Sequence, residues 1–380
     1  MFDDVVQYIK RTFNSKDGFI PLHEPRFVGN EKKYLIECLD STFVSSIGKF
    51  VNRFEYDLKG FVGAEHCVAT SSGTAALHIA LHAIGVEAGD EVITQPLSFV
   101  ATCNAISYAN ASPVFVDVDL ETLGMSPVAL KNYLVEYCKM EGGICVNTIT
   151  GNKIKACVPM HSFGFPCRID EIVDTCEQWN IVVIEDAAES LGSYYKGQHT
   201  GTFGKLGVFS FNGNKIVTAG GGGCIVSNDE ELAKRIKHLT TTAKIPHKWE
   251  YKHDELGFNY RMPNLNASLL CAQLEMLSGF VSKKRELAAN YEMFFKEIEI
   301  KFVSEPKEST SNYWLNTLLL GDLEERNQFL DSLNSNNVMT RPAWELMNTL
   351  PMFKQSEKGS LANALYLADR IVNIPSSVIV

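Results

Sequence analysis

Short apolar runs alternate with amphipathic stretches over about the first two-thirds of the chain. Each run is bounded by polar residues or glycine, as is typical of short buried strands. Seven runs have this form: "HCVATSS", "EVITQ", "SPVFVDVD", "IKACVPMHSFG", "NIVVIEDAAES", "LGVFSF" and "GCIVSN". The stretches between them, such as "SGTAALHIALHAIG", have helical spacing and are long enough to connect parallel strands. The pattern predicts an α/β fold with a mainly parallel central sheet that is covered on both faces.

The pattern changes after about Asn264. A long helical stretch, "NASLLCAQLEMLSGFVSKKRELAANYEMFFKEI", precedes two weaker strand-like segments, "YWLNTLLLG" and "VMTRPAW". A chain of 380 residues with 45% hydrophobic content can bury the cores of two domains. We therefore expect a large α/β domain at residues 1–250, with an N-terminal helical segment, and a smaller α+β domain at residues 251–380.

Composition and charge exclude several classes of protein. The net charge is −10 without a long basic run, which argues against nucleic acid as a partner. No apolar stretch approaches the roughly 18 residues of a membrane span, so we expect no membrane partner. The ten cysteines form no C-x-x-C pair, and the N-terminus lacks a signal-peptide pattern, so we expect a cytoplasmic protein. The cysteines and histidines lack metal-ligand spacing, so no metal is expected.

Ligands of open α/β sheets bind at the carboxyl ends of the strands, so residues at these positions are candidates for a functional site. "ATSSGTAAL" ends a strand at about Thr70 and starts a helix near Gly73. The free backbone N–H groups of that helix, with the hydroxyls of Ser72 and Thr74, form a candidate anion site. The simpler alternative is an ordinary helix N-cap with a glycine turn.

Three further strand ends carry candidate functional residues. Glu185 and Asp186 close an apolar run, where a carboxylate is costly unless it faces a cation or a donor, although it could also cap the next helix. Phe99 follows a strand that Pro96 interrupts, and taken alone it is more simply a core residue. Lys215 lies between "VFSFNGN" and "IVTAGGGG", whose glycines permit close backbone approach, although a single lysine is usually a solvated surface group.

The combination of an anion site, a flat aromatic, a buried acid and a lysine matches the requirements of pyridoxal 5'-phosphate (PLP). The lysine supplies the amine for a Schiff base, the acid keeps the pyridine nitrogen protonated, and the helix start holds the phosphate. The chain has neither G-x-G-x-x-G after a strand nor G-x-x-x-x-G-K-[ST], which argues against a dinucleotide or a nucleoside triphosphate.

Larger blocks of sequence support the same interpretation. They include "IPLHEPRFVGNEKKYLIECLDST", "VATSSGTAALHIAL", "MHSFGFPCRIDEI", "IEDAAESLGSYYKG", "GTFGKLGVFSFNGNK", "GGGGCIVSND" and "LGFNYRMPNLNASL". In these blocks the chain resembles the sugar aminotransferases of the DegT/DnrJ/EryC/StrS family over essentially its whole length. The resemblance implies a PLP-dependent enzyme with the fold type I, aspartate-aminotransferase-like architecture.

The resemblance also implies roles for individual residues. Lys215 would join the cofactor covalently and move the proton, Asp186 would pair with the pyridine nitrogen, and Phe99 would stack on the ring. The phosphate would be held by Ser72, Gly73, Thr74 and Ser210. Asn259, in "GFNYRM", would reach the phosphate of the partner subunit, which requires a homodimer with shared active sites. The alternative for Asn259 is that it caps the following helix in its own subunit.

Two positions depart from the family pattern. Glu189 stands near the phenolic oxygen of the cofactor, where most relatives have Gln, and a charge beside the phenolate would raise its pKa. Gly221 stands where most relatives have Glu, and we expect this change to be structural. Lys215 replaces the His of the related sugar dehydratases, so the resemblance implies a transaminase, with glutamate as donor and a nucleotide-diphosphate keto-sugar as acceptor.

The C-terminal segments suggest a substrate. "TRPAWELMNTLPMF" and "ADRIVNIPSS" resemble those of relatives that make UDP-4-amino-4,6-dideoxy-N-acetylglucosamine. We therefore expect UDP-4-keto-6-deoxy-N-acetylglucosamine, used for bacterial surface glycan or nonulosonate synthesis. The alternatives are GDP-4-keto-6-deoxymannose, a thymidine-diphosphate 3-keto sugar, and a non-catalytic regulator with the same fold. Candidate substrate-binding residues are Arg341, Trp344 and His161, although Arg341 and Trp344 could instead form a structural stack.

Overall fold

The computed structural model describes residues 2–15 and 17–379. The helices within these residues are α1 (Asp3–Thr12), α2 (Glu31–Asp40), α3 (Lys49–Val62), α4 (Gly73–Ala83), α5 (Val100–Tyr108), α6 (Pro127–Tyr137), α7 (Ile169–Gln178), α8 (Glu230–Thr240), α9 (Asn264–Glu297), α10 (Leu323–Ser335) and α11 (Ala362–Ala368). None of the described helices combines the length and the apolar character that crossing a membrane requires.

The strands in the first part of the chain are β1 (His66–Thr70), β2 (Glu91–Thr94), β3 (Ser112–Phe115), β4 (Cys138–Glu141), β5 (Ile144–Asn147), β6 (Ile154–Val158), β7 (Val182–Asp186), β8 (Tyr194–Tyr195), β9 (Gln198–His199), β10 (Leu206–Ser210) and β11 (Gly223–Ser227). They are followed by β12 (Lys301–Phe302), β13 (Ser309–Thr310), β14 (Asn316–Leu319), β15 (Arg341–Pro342) and β16 (Ile371–Ile374).

The seven strands predicted from the apolar runs form one sheet, in the order β1-β11-β10-β7-β6-β2-β3. Strands β10, β7, β6, β2 and β3 pair in parallel, whereas β11 is antiparallel to both of its neighbours. The predicted α/β class with a mainly parallel sheet is therefore confirmed. Because parallel strands end at the same edge, β2, β6, β7 and β10 place the residues that follow them close together.

Alternating side chains bury both faces of this sheet. Val208 of β10 packs with residues of α4 and α8 on one face, including Ile79 and Ile236. The next residue, Phe209, packs on the other face with residues of α3 and α9, including Phe54 and Leu270. Successive strand residues point to opposite faces, which explains why these strands read as nearly continuous apolar runs.

A second, four-stranded sheet lies in the C-terminal part of the chain, in the order β12-β14-β16-β15 with antiparallel pairing throughout. Helix α1, although N-terminal, packs into the core of this region, where the rings of Phe2 and Phe329 lie 4.9 Å apart. The backbone near Ile20 also pairs with Val338. The division into domains at residues 250 and 251 stays a prediction, while α1 contributes to the core around the smaller sheet.

Candidate active site

A cavity of ≈ 310 Å³ lies at the carboxyl ends of β7 and β10 and at the N-terminus of α4. Eight of the residues predicted to bind the cofactor line it: Ser72, Gly73, Thr74, Phe99, Asp186, Glu189, Ser210 and Lys215. These residues come from five separate stretches of the chain, and the shared edge of the parallel strands brings them together. We call this space the first cavity.

The start of helix α4 forms one end of the first cavity. Ser72 is the N-cap residue, and its Oγ accepts a hydrogen bond from the Ala75 N–H at 3.1 Å. A Cβ on Gly73 would lie 2.8 Å from Cβ of Ser210 and 3.1 Å from its Oγ. Because position 73 is glycine, the helix start can therefore approach the Ser210 hydroxyl closely. The N–H groups of this helix start and a nearby hydroxyl are a suitable donor set for a phosphate dianion.

Asp186, at the end of β7, is almost fully buried in the wall of the first cavity. Its carboxylate accepts hydrogen bonds from Thr102 Oγ1 at 2.7 Å and from the Ala188 N–H at 3.2 Å. Burial raises the pKa of Asp186, although these hydrogen bonds and the charge of Lys215 act in the opposite direction. A protonated pyridine nitrogen would supply the positive charge that such a buried carboxylate needs, so Asp186 fits its predicted role.

Glu185 is completely buried, and groups of the protein itself supply the hydrogen-bond donors that its carboxylate needs. Its carboxylate accepts backbone N–H donors at 2.7 Å from Gly201, Phe203 and Gly204. His161 Nε2 lies 3.0 Å from the same carboxylate. Of the two acids that end the apolar run, Glu185 therefore anchors the loop after β9.

His161 is fully buried, and it is not among the residues that line the first cavity. Its Nδ1 accepts a hydrogen bond from the Cys167 N–H at 3.0 Å. Because Nδ1 accepts this hydrogen bond, the ring proton is on Nε2, which donates to the Glu185 carboxylate. The direct substrate contact predicted for His161 thus receives no support from its position, because both ring nitrogens face protein groups.

Lys215 points its side chain into the first cavity, and only 12% of that side chain is exposed. Its Nζ lies 3.1 Å from Glu189 Oε1 and 4.1 Å from the centre of the Trp314 ring. The Trp314 indole Nε1 donates to the carbonyl oxygen of Asn214 at 2.7 Å. Sequence reasoning missed Trp314, because an aromatic in the strand-like segment "YWLNTLLLG" has the pattern of an ordinary core residue.

Glu189 is nearly inaccessible to solvent and accepts a hydrogen bond from the Phe163 N–H at 2.9 Å. Burial raises the pKa of Glu189 to about 7, and the neighbouring charge of Asp186 adds to the effect. Lys215 and the Phe163 N–H act in the opposite direction. The sequence left the protonation of Glu189 open. Burial in the protein by itself already favours the protonated form, without any contribution from the phenolate of the cofactor.

Aromatic residues form the outer wall of the first cavity. Phe99 is 50% exposed and lies edge-on to Trp344, with the ring centres 6.4 Å apart. Trp344 in turn stacks on Phe163 at 4.8 Å rather than on Arg341. The exposed face of Phe99 excludes the simpler interpretation of this residue as plain core.

A second cavity of ≈ 410 Å³ adjoins the first and shares Asn214, Trp314 and Trp344 with it. Arg341 lines the second cavity but not the first. The two candidate substrate residues of the C-terminal segment therefore lie beside the predicted cofactor position, and Trp344 stands between the two spaces.

Asn259 and Gly221 have different surroundings. Asn259 is exposed outside the first cavity, and its Oδ1 accepts from Arg261 Nε at 3.0 Å. Helix α9 begins only at Asn264, so Asn259 does not cap it, and its role in a partner subunit stays a prediction. Gly221 lines the first cavity, and a Cβ built there meets nothing within 4 Å, so its position has room for a larger side chain.

Comparison with known proteins agrees with this geometry. Residues 25–379 match the DegT/DnrJ/EryC1/StrS aminotransferase family. GDP-perosamine synthase of Escherichia coli O157:H7 is 38% identical over 359 residues, which cover 94% of this chain and 93% of that protein. The putative PLP-dependent aminotransferase EpsN of Bacillus subtilis is 39% identical over 335 residues, which cover 88% of this chain and 84% of that protein.

The structure is also similar to solved structures. The aminotransferase TlmJ from Streptoalloteichus hindustanus superposes with a TM-score of 0.85 at 27% identity, covering 94% of each chain. The family match spans nearly the whole chain, and the candidate site retains the lysine, the buried acid and the helix start. The chain therefore belongs to the DegT/DnrJ/EryC1/StrS family and is a PLP-dependent aminotransferase of fold type I.

Proposed function

We propose that this enzyme transfers an amino group from glutamate to C4 of GDP-4-keto-6-deoxymannose, for the synthesis of a bacterial surface glycan. The observation that carries the proposal is the similarity to proteins named GDP-perosamine synthase. Those of Escherichia coli, Vibrio cholerae and Caulobacter vibrioides are 34–38% identical over 88–94% of this chain. These names support the GDP-linked alternative better than the UDP-linked sugar that we expected first.

The UDP-linked sugar is retained as a second candidate because of one specific segment. Arg341 and Trp344 belong to "TRPAWELMNTLPMF", the segment that resembles the UDP-sugar enzymes, and both line the second cavity. A guanidinium there is a suitable partner for an oxyanion of either nucleotide. The two candidates therefore share the same predicted binding region and differ in the base and the sugar.

The predicted chemistry divides between the cofactor and the chain. When bound, PLP supplies the carbonyl group that accepts the amine and the ring that accepts electrons. Lys215 is held in the first cavity, where its amine can take a proton from one carbon and return it to another. Asp186 stabilises the positive charge of the ring nitrogen, and the start of α4 binds the phosphate. Phe99 covers one side of the cavity and limits the access of water.

The proposal includes a homodimer, because Asn259 lies outside the cavity of its own chain. An exposed amide beside the backbone pairing of Thr70 and Arg261 is available to a second subunit. The amino donor is proposed to be glutamate, as the family resemblance implies.

A panel of nucleotide sugars tests the proposal. The purified enzyme, loaded with PLP and given glutamate, is assayed with GDP-4-keto-6-deoxymannose, UDP-4-keto-6-deoxy-N-acetylglucosamine and a thymidine-diphosphate 3-keto sugar. We expect kcat/KM to be at least about tenfold higher for the GDP sugar, which is the scale of one specific polar contact. Lys215→Ala is the matched inactive control.

Other outcomes assign the protein differently. A preference for the UDP sugar would replace the first candidate by the second. If the enzyme reacts with glutamate but aminates none of the three sugars, all three acceptors are rejected and the assignment as a transaminase is retained. A protein that binds PLP but does not react with glutamate would reject glutamate as the amino donor.

A further inference from the structure

Trp314 contacts the amine of Lys215 and the backbone of the residue before it. Its indole N–H donates to the carbonyl oxygen of Asn214, the residue before the lysine, at 2.7 Å. Its ring face lies 4.1 Å from the lysine Nζ, measured to the ring centre. One side chain from the C-terminal part of the chain therefore restrains both the backbone and the ammonium group of the catalytic lysine.

The position of Trp314 is itself fixed by buried polar contacts. Its backbone N–H donates to Asn312 Oδ1 at 2.8 Å, and its carbonyl oxygen accepts from Lys284 Nζ at 3.1 Å. Asn312 Nδ2 also donates to the carbonyl oxygen of Glu189 at 2.9 Å. Lys284 belongs to helix α9 and is fully buried. Asn312 thus links the backbone of Trp314 to the backbone of Glu189, whose side chain is the other partner of Lys215.

We propose that Trp314 is a positioning residue for Lys215. The indole ring holds the lysine ammonium beside Glu189 whenever the lysine is not joined to the cofactor. A lysine side chain has a flexible four-carbon stem, so a free amine would otherwise sample many positions. The face of an indole attracts an ammonium, more strongly where water is excluded, and the Lys215 side chain is only 12% exposed. The inference rests on the transaminase activity and is independent of the sugar.

Two substitutions separate the contributions of the ring face and the N–H group. Trp314→Leu removes both, whereas Trp314→Phe keeps an aromatic face and loses only the donor to Asn214. With PLP-loaded enzyme and glutamate alone, we expect the single-turnover rate to fall about tenfold in Trp314→Leu and by less than about threefold in Trp314→Phe. The dissociation constant for glutamate should stay within about twofold of the original value in both variants.

A measurement on the cofactor-free protein provides a readout other than activity. Amide hydrogen exchange of residues 211–217 should accelerate in both variants, because each lacks the N–H group that holds the Asn214 carbonyl oxygen. Trp179→Leu is the matched control, since Trp179 ends helix α7 away from both cavities. In that control, both the exchange of this segment and the glutamate rate should be unchanged.

Three results would overturn the inference. The first is a rate for Trp314→Leu within about twofold of the original enzyme. The second is an equal fall in rate for the Phe and Leu variants, which would mean that the aromatic face does not position the lysine. The third is unchanged exchange of residues 211–217, or faster exchange throughout the chain. Because neither measurement uses a nucleotide sugar, a wrong sugar assignment would leave the inference intact.

Discussion

Glu185 and Asp186 are neighbours at the end of β7, yet their carboxylates lie in different environments. Asp186 lines the first cavity beside Thr102, whereas Glu185 accepts three backbone N–H groups and contacts His161. Alternation along a strand places consecutive side chains on opposite faces, so only one of the two acids faces the cavity. Substitution of Asp186 should therefore slow the reaction, whereas substitution of Glu185 should destabilise the fold.

Asp186→Asn should slow transamination by on the order of a hundredfold or more, the scale of losing a strong electrostatic contribution. A neutral amide cannot stabilise the protonated ring nitrogen, while the fold should survive. The check is the single-turnover reaction with glutamate. Thr102→Val, which removes the 2.7 Å hydrogen bond to Asp186 and a 3.1 Å hydrogen bond with the Ser98 hydroxyl but keeps the carboxylate, is the milder control and should lose much less. Unchanged kinetics of Asp186→Asn would refute its pairing with the ring.

Glu185→Ala should lower the free energy of unfolding by about 3–5 kcal/mol, because the buried N–H group of Gly201 and the partly buried N–H groups of Phe203 and Gly204 lose their acceptor. Denaturant unfolding of the cofactor-free protein measures this loss. Asp186→Asn serves as the comparison at the neighbouring position. A loss below about 1 kcal/mol would mean that the loop finds other acceptors.

Lys215→Ala should abolish transamination and leave the fold intact, because this side chain contributes little to core packing. Lys215→Arg should be inactive as well, since a guanidinium is not deprotonated and cannot join the cofactor. Product formation from glutamate is the measurement, with circular dichroism to verify folding. Turnover of either variant at a rate near that of the original enzyme would disprove the assignment.

Glu189→Gln should change how stability depends on pH. Burial raises the pKa of Glu189 from its ordinary value of 4.5 to about 7, so the folded state binds the proton more tightly than the unfolded state. The stability from this group is therefore complete below pH 4.5 and is lost as the pH rises through 7, by at most about 3 kcal/mol.

Glutamine does not titrate, so the variant should lack that decline. The measurement is the free energy of unfolding of cofactor-free protein between pH 4.5 and 8, compared between the two proteins so that other groups cancel. If the free energy of unfolding depends on pH in the same way in both proteins, the prediction that the fold raises the pKa of Glu189 is wrong.

Mixing inactive subunits tests the shared site. Lys215→Ala subunits are combined with Asn259→Asp subunits, whose carboxylate should repel the cofactor phosphate, and partners are exchanged under mild denaturation. If Asn259 completes the partner's site, each heterodimer has one site with both lesions and one unaltered site, so activity should return.

If Asn259 acts only in its own chain, every heterodimer site carries one lesion and the mixture stays inactive. The control is Asn259→Asp alone, which must first be shown to be inactive. Exchange without recovered activity then rules out the shared site.

The sequence by itself determined the seven central strands and the strand ends at which chemistry was expected. Apolar runs bounded by polar residues and glycine are local signals, and the rule that parallel strands end at one edge converts them into a site. Lys215, the adjacent acids Glu185 and Asp186, and the start of α4 were identified in this way, whereas Ser210 and the choice of Asp186 came from the resemblance to the family. The structure brings Lys215, Asp186, Ser210 and the start of α4 to one cavity.

The periodicity of the sequence left open which of the two adjacent acids faces that cavity, because alternation does not tell which face the helices leave open. The tertiary structure shows that Asp186 faces it. It likewise decided that the ring nitrogens of His161 face protein groups and that Trp314 lies against Lys215. Trp314 is brought to the lysine by the packing of α9 and the smaller sheet, through contacts far apart in sequence. Local periodicity carries no information about such contacts, since they arise from how separate elements fill the space between them.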